Sequence, residues 1–308
     1  MHGKPVAEKQ QMTEGTEDSR ALRRPSGSTE AFFRTGEAPA GLLVVYHIQK
    51  TAGTSLRRLV RANLPPAEVE ITADLKKLRY KPEELLAWHR DWYRSLDPER
   101  RDRLCCGMSH SAGYLLPALD RPAETLVLVR EPVDRVLSFY YYKRRRPGDP
   151  PGPGRKTHFL GLEEVFELGD QDRASLARPM RLEAWEQFFN WQSRSLLSVF
   201  HDVSTLAYSE GPSADADLWR GRLRELIESV FFVGVQDRFA GYAELLARRF
   251  GWSAFVPTSK VNERRPPASD VSGELRRTIL AYNWLDHELY ELCRELQMQR
   301  EAEAQVSP

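Results

Sequence analysis

The chain has 308 residues, 41% of them hydrophobic and 29% charged, enough apolar material for one large core or two small ones. Its 45 basic and 44 acidic residues leave a net charge of +1, so no global field would draw nucleic acid or an anionic membrane; any anion site must be local. Three cysteines, Cys105, Cys106 and Cys293, cannot build a disulfide framework and match neither a CxxC pair nor a zinc cluster, which suits a reducing compartment. No run approaches the ~18–20 apolar residues of a membrane span, and the N-terminus lacks the apolar centre of a signal peptide, so a soluble protein is expected.

Residues 1–40 are rich in Glu, Lys, Arg, Ser, Thr and Gly, too polar to offset the entropy of ordering, and read as a disordered tail. The first strong signal is Leu42-Leu43-Val44-Val45-Tyr46-His47-Ile48, a continuous apolar run of the kind found in strands buried on both faces of a parallel sheet. A helix over about 54–63 follows, stopped by Pro65-Pro66. Two further runs, Thr125-Leu126-Val127-Leu128-Val129 and Val230-Phe231-Phe232-Val233-Gly234-Val235, each lead into a helical pattern. The first of these helices opens on Pro132, and the second presents Phe239, Tyr242, Leu245, Leu246 and Phe250 on one face before Gly251 closes it. A shorter strand is expected over Leu104-Cys105-Cys106-Gly107-Met108, ending near His110. Strands alternating with helices predict an α/β fold with a mainly parallel central sheet. A Pro/Gly-rich stretch, 145–157, reads as a mobile loop. The last helix is expected over 275–297, which gives one domain over 41–297 and a C-terminal tail over 298–308.

The first strand runs straight into Gln49-Lys50-Thr51-Ala52-Gly53-Thr54-Ser55 and then a helix. That order suits a phosphate cradle, in which helix-terminal N–H groups face the anion, a Gly lets the backbone approach and a Lys adds a full charge. It is not a Walker A loop, because Lys50 precedes the single Gly53 and GxxxxGK[ST] is absent.

The stretch His47 to Ser55, HIQKTAGTS, resembles the 5′-phosphosulfate loop of sulfotransferases, and in particular the HIQKTGGT form of the heparan sulfate 6-O-sulfotransferases. Ala52 stands where that form has Gly. The resemblance implies a P-loop-like three-layer sandwich and a donor, 3′-phosphoadenosine 5′-phosphosulfate (PAPS), whose 3′-phosphate is held by an Arg after a strand and a Ser in the helix that follows. Leu128-Val129-Arg130-Glu131-Pro132-Val133-Asp134-Arg135-Val136-Leu137-Ser138 supplies both, with Arg130 and Ser138 eight positions apart. Eight helical residues span about 12 Å, so the chain between them must fold back if one phosphate is to meet both.

The likeness runs over about 42–296. It includes Asn190-Trp191-Gln192-Ser193-Arg194-Ser195-Leu196, similar to an N-x-Q-T-R-x-L segment of the membrane-type sulfotransferases, and an Asn262, Arg264, Arg265 loop before the last helix. The Phe139-Tyr140-Tyr141-Tyr142 run is closer to the 2-O-sulfotransferases. By this resemblance residues 50–55 (Lys50, Thr51, Ala52, Gly53, Thr54, Ser55) hold the phosphosulfate, Lys50 serves the leaving oxygen, and His110, in Met108-Ser109-His110-Ser111, is the base. His47 is the weaker candidate base, and Arg194 a secondary site candidate. The acceptor is expected to be a hydroxyl, on a carbohydrate, and the scheme requires no metal. The animal enzymes are anchored in the Golgi; without an anchor, a cytoplasmic protein is expected, with the Golgi lumen reserved for a chain trimmed at its N-terminus. Competing readings are a nucleotide-dependent kinase on a related fold, which would need a Walker A loop, and a nucleotide-binding protein without catalysis.

Overall fold

The structure, a computed structural model, describes residues 41–64, 69–70, 82–144, 161–167, 186–204, 206, 210–253 and 267–306. The expected tail 1–40, the loop 145–157 and the residues Asn262, Arg264 and Arg265 lie outside the described residues.

Among the described residues the core is a five-stranded, wholly parallel sheet of order β2-β3-β1-β4-β5, built from β1 (Leu42–Tyr46), β2 (Val69–Glu70), β3 (Cys106–Ser109), β4 (Ala123–Val129) and β5 (Phe231–Val235). Every residue of β1 is buried, which explains why its apolar run does not alternate. Leu43 and Val45 face the helices α1 (Gly53–Asn63) and α8 (Phe239–Phe250), whereas Leu42 and Val44 pack with Tyr93, Leu96 and Leu115 on the other side. Each such side chain contributes about 1.5–3 kcal/mol by leaving water. Strands β4 and β5 divide the same way: Leu126, Leu128 and Phe232 join the α1 face, and Val127, Val129, Phe231, Val233 and Val235 the opposite one.

On that opposite face lie α6 (Trp191–Leu197), α7 (Ala216–Ser229) and α10 (Trp284–Val306), giving a three-layer α/β sandwich. Helices α2 (Pro82–Ser95) and α3 (Pro98–Arg103) precede β3, and α3 is capped by Asp97, whose carboxylate accepts from the Arg100 N–H. Helices α4 (Pro132–Arg144), α5 (Leu162–Glu167) and α9 (Gly273–Tyr282) share a satellite cluster around Phe139, Phe166 and Phe188. Among the described residues no helix is long and apolar enough to cross a membrane.

Two expectations need correction. The short strand runs over Cys106–Ser109 rather than 104–108. The last helix is two helices, and the second continues to Val306 through most of the expected tail. The break falls at Asn283, fully buried, whose amide donates to the carbonyls of Phe188 and Ile279 while its Oδ1 accepts from the Asn190 N–H. The extension is held because Gln297, also fully buried, accepts the Val235 N–H at 2.7 Å and donates to Arg238 O and to Glu301. Arg238 then pairs with Glu301 in the next turn.

Gln297→Leu strands the buried Val235 N–H and should lower stability by about 1–3 kcal/mol in urea unfolding. An unchanged midpoint would show that the 298–306 extension is not tied to the sheet through this side chain.

Candidate active site

A wholly parallel sheet sends the carboxyl ends of all its strands to one edge, where ligands of open α/β sheets bind. The residues after β1, β3 and β4 therefore meet there. They carry Lys50, His110 and Arg130, the three functional side chains expected from separate parts of the sequence.

The turn after β1 is tightly determined. Ile48 and Thr51 are buried, and the Thr51 hydroxyl donates to Ile48 O at 2.9 Å. Lys50 and Ala52 both lie in the left-handed region, at φ 71 and φ 67. An alanine there carries a cost of about 1–2 kcal/mol that a glycine would not, so the Gly of the resembled loop has a conformational reason at this position. The first helical bonds of α1 run from Ser55 and Leu56 to Ala52 O, leaving the Gly53 and Thr54 amides as the terminal donors of the helix. No acidic residue occupies the first turn to compete for an anion. Gly53 has a role that the sequence did not indicate: a Cβ there would sit 1.7 Å from the His47 ring, so the glycine makes room for that imidazole rather than serving only the approach of a ligand.

Arg130 is brought to the same loop. Its NH1 donates to Lys50 O at 3.1 Å, and its guanidinium pairs with Asp134 one turn into α4. The chain between Arg130 and Ser138 does not fold back: it enters one continuous helix, with Asp134 and Ser138 on successive turns of the same face. Ser138 is 1% exposed and its hydroxyl has no hydrogen-bond partner, a buried polar atom of the kind a ligand satisfies.

His110 is exposed, and its Nδ1 lies 2.6 Å from His47 O. A carbonyl only accepts, so Nδ1 carries the proton and the lone pair of the neutral ring sits on Nε2, the tautomer a general base requires. The His47 and His110 rings are 4.2 Å apart at 30°. His47 itself is pushed down to about 3, first by burial and then by the charge His110 carries when protonated and by Arg57 and Lys50, which makes it a poor base and a neutral neighbour.

Below His110 the Ser109 hydroxyl accepts the Ser111 N–H, and Ser111 shares a 3.0 Å hydrogen bond with His89 Nε2. His89 is fully buried and held down to about 4 by burial; nothing in its sequence context marked it.

A buried polar network supports Arg130 from behind. Gln192 accepts the Arg130 N–H at 2.8 Å and returns a bond to Arg130 O at 2.9 Å. Asp286, fully buried, accepts from Gln192 N, Ser193 N and Ser193 Oγ, capping α6, while the Asn190 Oδ1 accepts from Leu285 N and Asp286 N, capping α10 in return. Arg194, a secondary site candidate, is not brought to the cleft: it is buried and donates to the carbonyls of Leu206 and Val203. Trp88 and Trp92 stack on each other along α2. Among the described residues no cluster of three or more His, Cys, Asp or Glu could hold a metal ion.

A scan of known protein families finds no matching model, and no curated protein matches the chain in sequence.

Two imidazoles held neutral give a testable pH dependence. Below pH ~6.5 the unfolded chain binds protons that folded His47 and His89 refuse, so stability falls as pH drops from about 6.5 toward 4, by up to ~1.4 kcal/mol per pH unit for each group. Urea unfolding at stepped pH should show this slope, reduced in His89→Phe; a flat profile would mean that neither ring is shielded.

Proposed function

We propose that the chain is a sulfotransferase that takes the sulfuryl group from PAPS and transfers it to a hydroxyl on a carbohydrate. The observation that carries this reading is the hydrogen bond from His110 to the His47 carbonyl, which ties a correctly protonated base to the loop that bears Lys50. A kinase reading finds no support in this loop, which lacks the Walker A order. The carbohydrate acceptor rests on the resemblance to the heparan sulfate enzymes.

In this scheme the Gly53 and Thr54 amides, with Thr54 and Ser55 beside them, receive the 5′-phosphosulfate at the start of α1. Arg130 and the unpartnered Ser138 hydroxyl take the 3′-phosphate, a planar fork and a buried donor suited to that group. Arg130 must then exchange part of its Asp134 pairing for the ligand. PAPS supplies an activated sulfuryl group whose bond to the bridging phosphate oxygen breaks as the acceptor oxygen attacks sulfur. His110 Nε2 removes the acceptor proton, and the Lys50 ammonium stabilises the charge left on the bridging oxygen. Positioning and electrostatics carry most of the acceleration, as in phosphoryl transfer.

Calorimetry should show tight binding of 3′-phosphoadenosine 5′-phosphate and weak binding of ADP and adenosine 5′-phosphosulfate, with the preference lost in Arg130→Ala. His110→Ala should keep that affinity and lower kcat by about 10²–10⁴-fold. Equal binding of all three nucleotides would overturn the donor assignment, and selective binding without any transfer would leave a nucleotide-binding protein.

A further inference from the structure

The Lys50 ammonium lies 4.0 Å from the centroid of the Tyr142 ring. The two residues come from different units, Lys50 from the turn after β1 and Tyr142 from the end of α4. The β4–α4 unit therefore touches Lys50 twice, through the Arg130 guanidinium at its carbonyl and through an aromatic face at its charge. Tyr142 is 36% exposed, whereas Phe139 and Tyr140 on the same helix are 0% and 4% exposed.

An aromatic face attracts an ammonium through its quadrupole and brings no negative charge of its own. A carboxylate in the same place would fix Lys50 as well, but it would compete with an incoming phosphate for the cation. The ring orients the charge and favours the protonated amine without neutralising it.

We infer that Tyr142 is a positioning residue for Lys50, holding the ammonium charged and in place at the phosphate loop. The contact itself stands on geometry; its catalytic consequence rests on the sulfotransferase reading, in which Lys50 serves the leaving oxygen. Tyr142 acts only through Lys50, and its hydroxyl is not part of the device.

The test compares wild type, Tyr142→Phe and Tyr142→Leu in two assays. Acetic anhydride labels the unprotonated Lys50 amine, followed by mass spectrometry; labelling should be about 2- to 30-fold faster in Tyr142→Leu and return to the wild-type rate in Tyr142→Phe. With PAPS as donor, kcat should fall by a similar factor in Tyr142→Leu, with KM for PAPS little changed, and Tyr142→Phe should rescue it. Unchanged labelling in Tyr142→Leu would overturn the contact. Changed labelling with wild-type kcat, while Lys50→Ala is inactive, would overturn the positioning role and leave the sulfotransferase reading intact. A wild-type protein that neither binds 3′-phosphoadenosine 5′-phosphate nor transfers sulfate would overturn both.

Discussion

The site depends on one constraint, the parallel pairing of β1 with β3 on one side and β4 on the other. Because all three strands point the same way, the turns that leave them share an edge, and residues as far apart in sequence as Lys50, His110 and Arg130 become neighbours. Had any of the three run antiparallel, its functional residue would stand at the opposite end of the sheet. The registers Val45↔Met108 and Val45↔Leu126 end β1 and β3 level and carry β4 two residues further, to Val129. Two backbone hydrogen-bond acceptors then complete the assembly: His47 O fixes the tautomer of His110, and Lys50 O receives Arg130.

A second layer keeps Arg130 where the sheet delivers it. Gln192 satisfies both backbone polar groups of Arg130, and Asp286 and Asn190 cap the helices from which each other's partners come. Such a network in a low-dielectric interior is stable only when its members are nearly all paired, and removing one leaves several donors stranded. Among the described residues the non-glycine positions with positive φ are Lys50, Ala52 and Asn190, two in the turn after β1 and one in this network. Backbone strain thus collects at the candidate site and its support rather than across the fold.

Much of this was legible in the sequence because the apolar runs of β1, β4 and β5 are buried on both faces and so are unbroken. The helix after Pro132 and the Gly251 stop followed from local chemistry that tertiary contacts did not override; Gly251 takes φ 66 at the end of α8. The break at Asn283 escaped, since its cause is a buried side chain serving the distant 188–190 segment, and periodicity carries no trace of that. The extension to Val306 escaped for a related reason: Gln297 and Glu301 look like surface residues until β5 and Arg238 are placed beside them. At the site, the cationic and histidine candidates were visible as residue types in order along the chain, but their supports were not. Asp286 did leave a signal, an acid on the same helical face as Leu289 and Cys293, where only a paired carboxylate is tolerated. The His47 ring over Gly53 left none, because the glycine already had an expected use.

On the proposed function, three separate turns would close on one donor. Hydrogen exchange with and without 3′-phosphoadenosine 5′-phosphate tests it most directly. Slowed exchange should appear together in the segments 47–56 and 130–138, with a smaller effect at 109–113, and nowhere else of comparable size. Protection confined to one of the first two segments, or centred on another part of the fold, would contradict it.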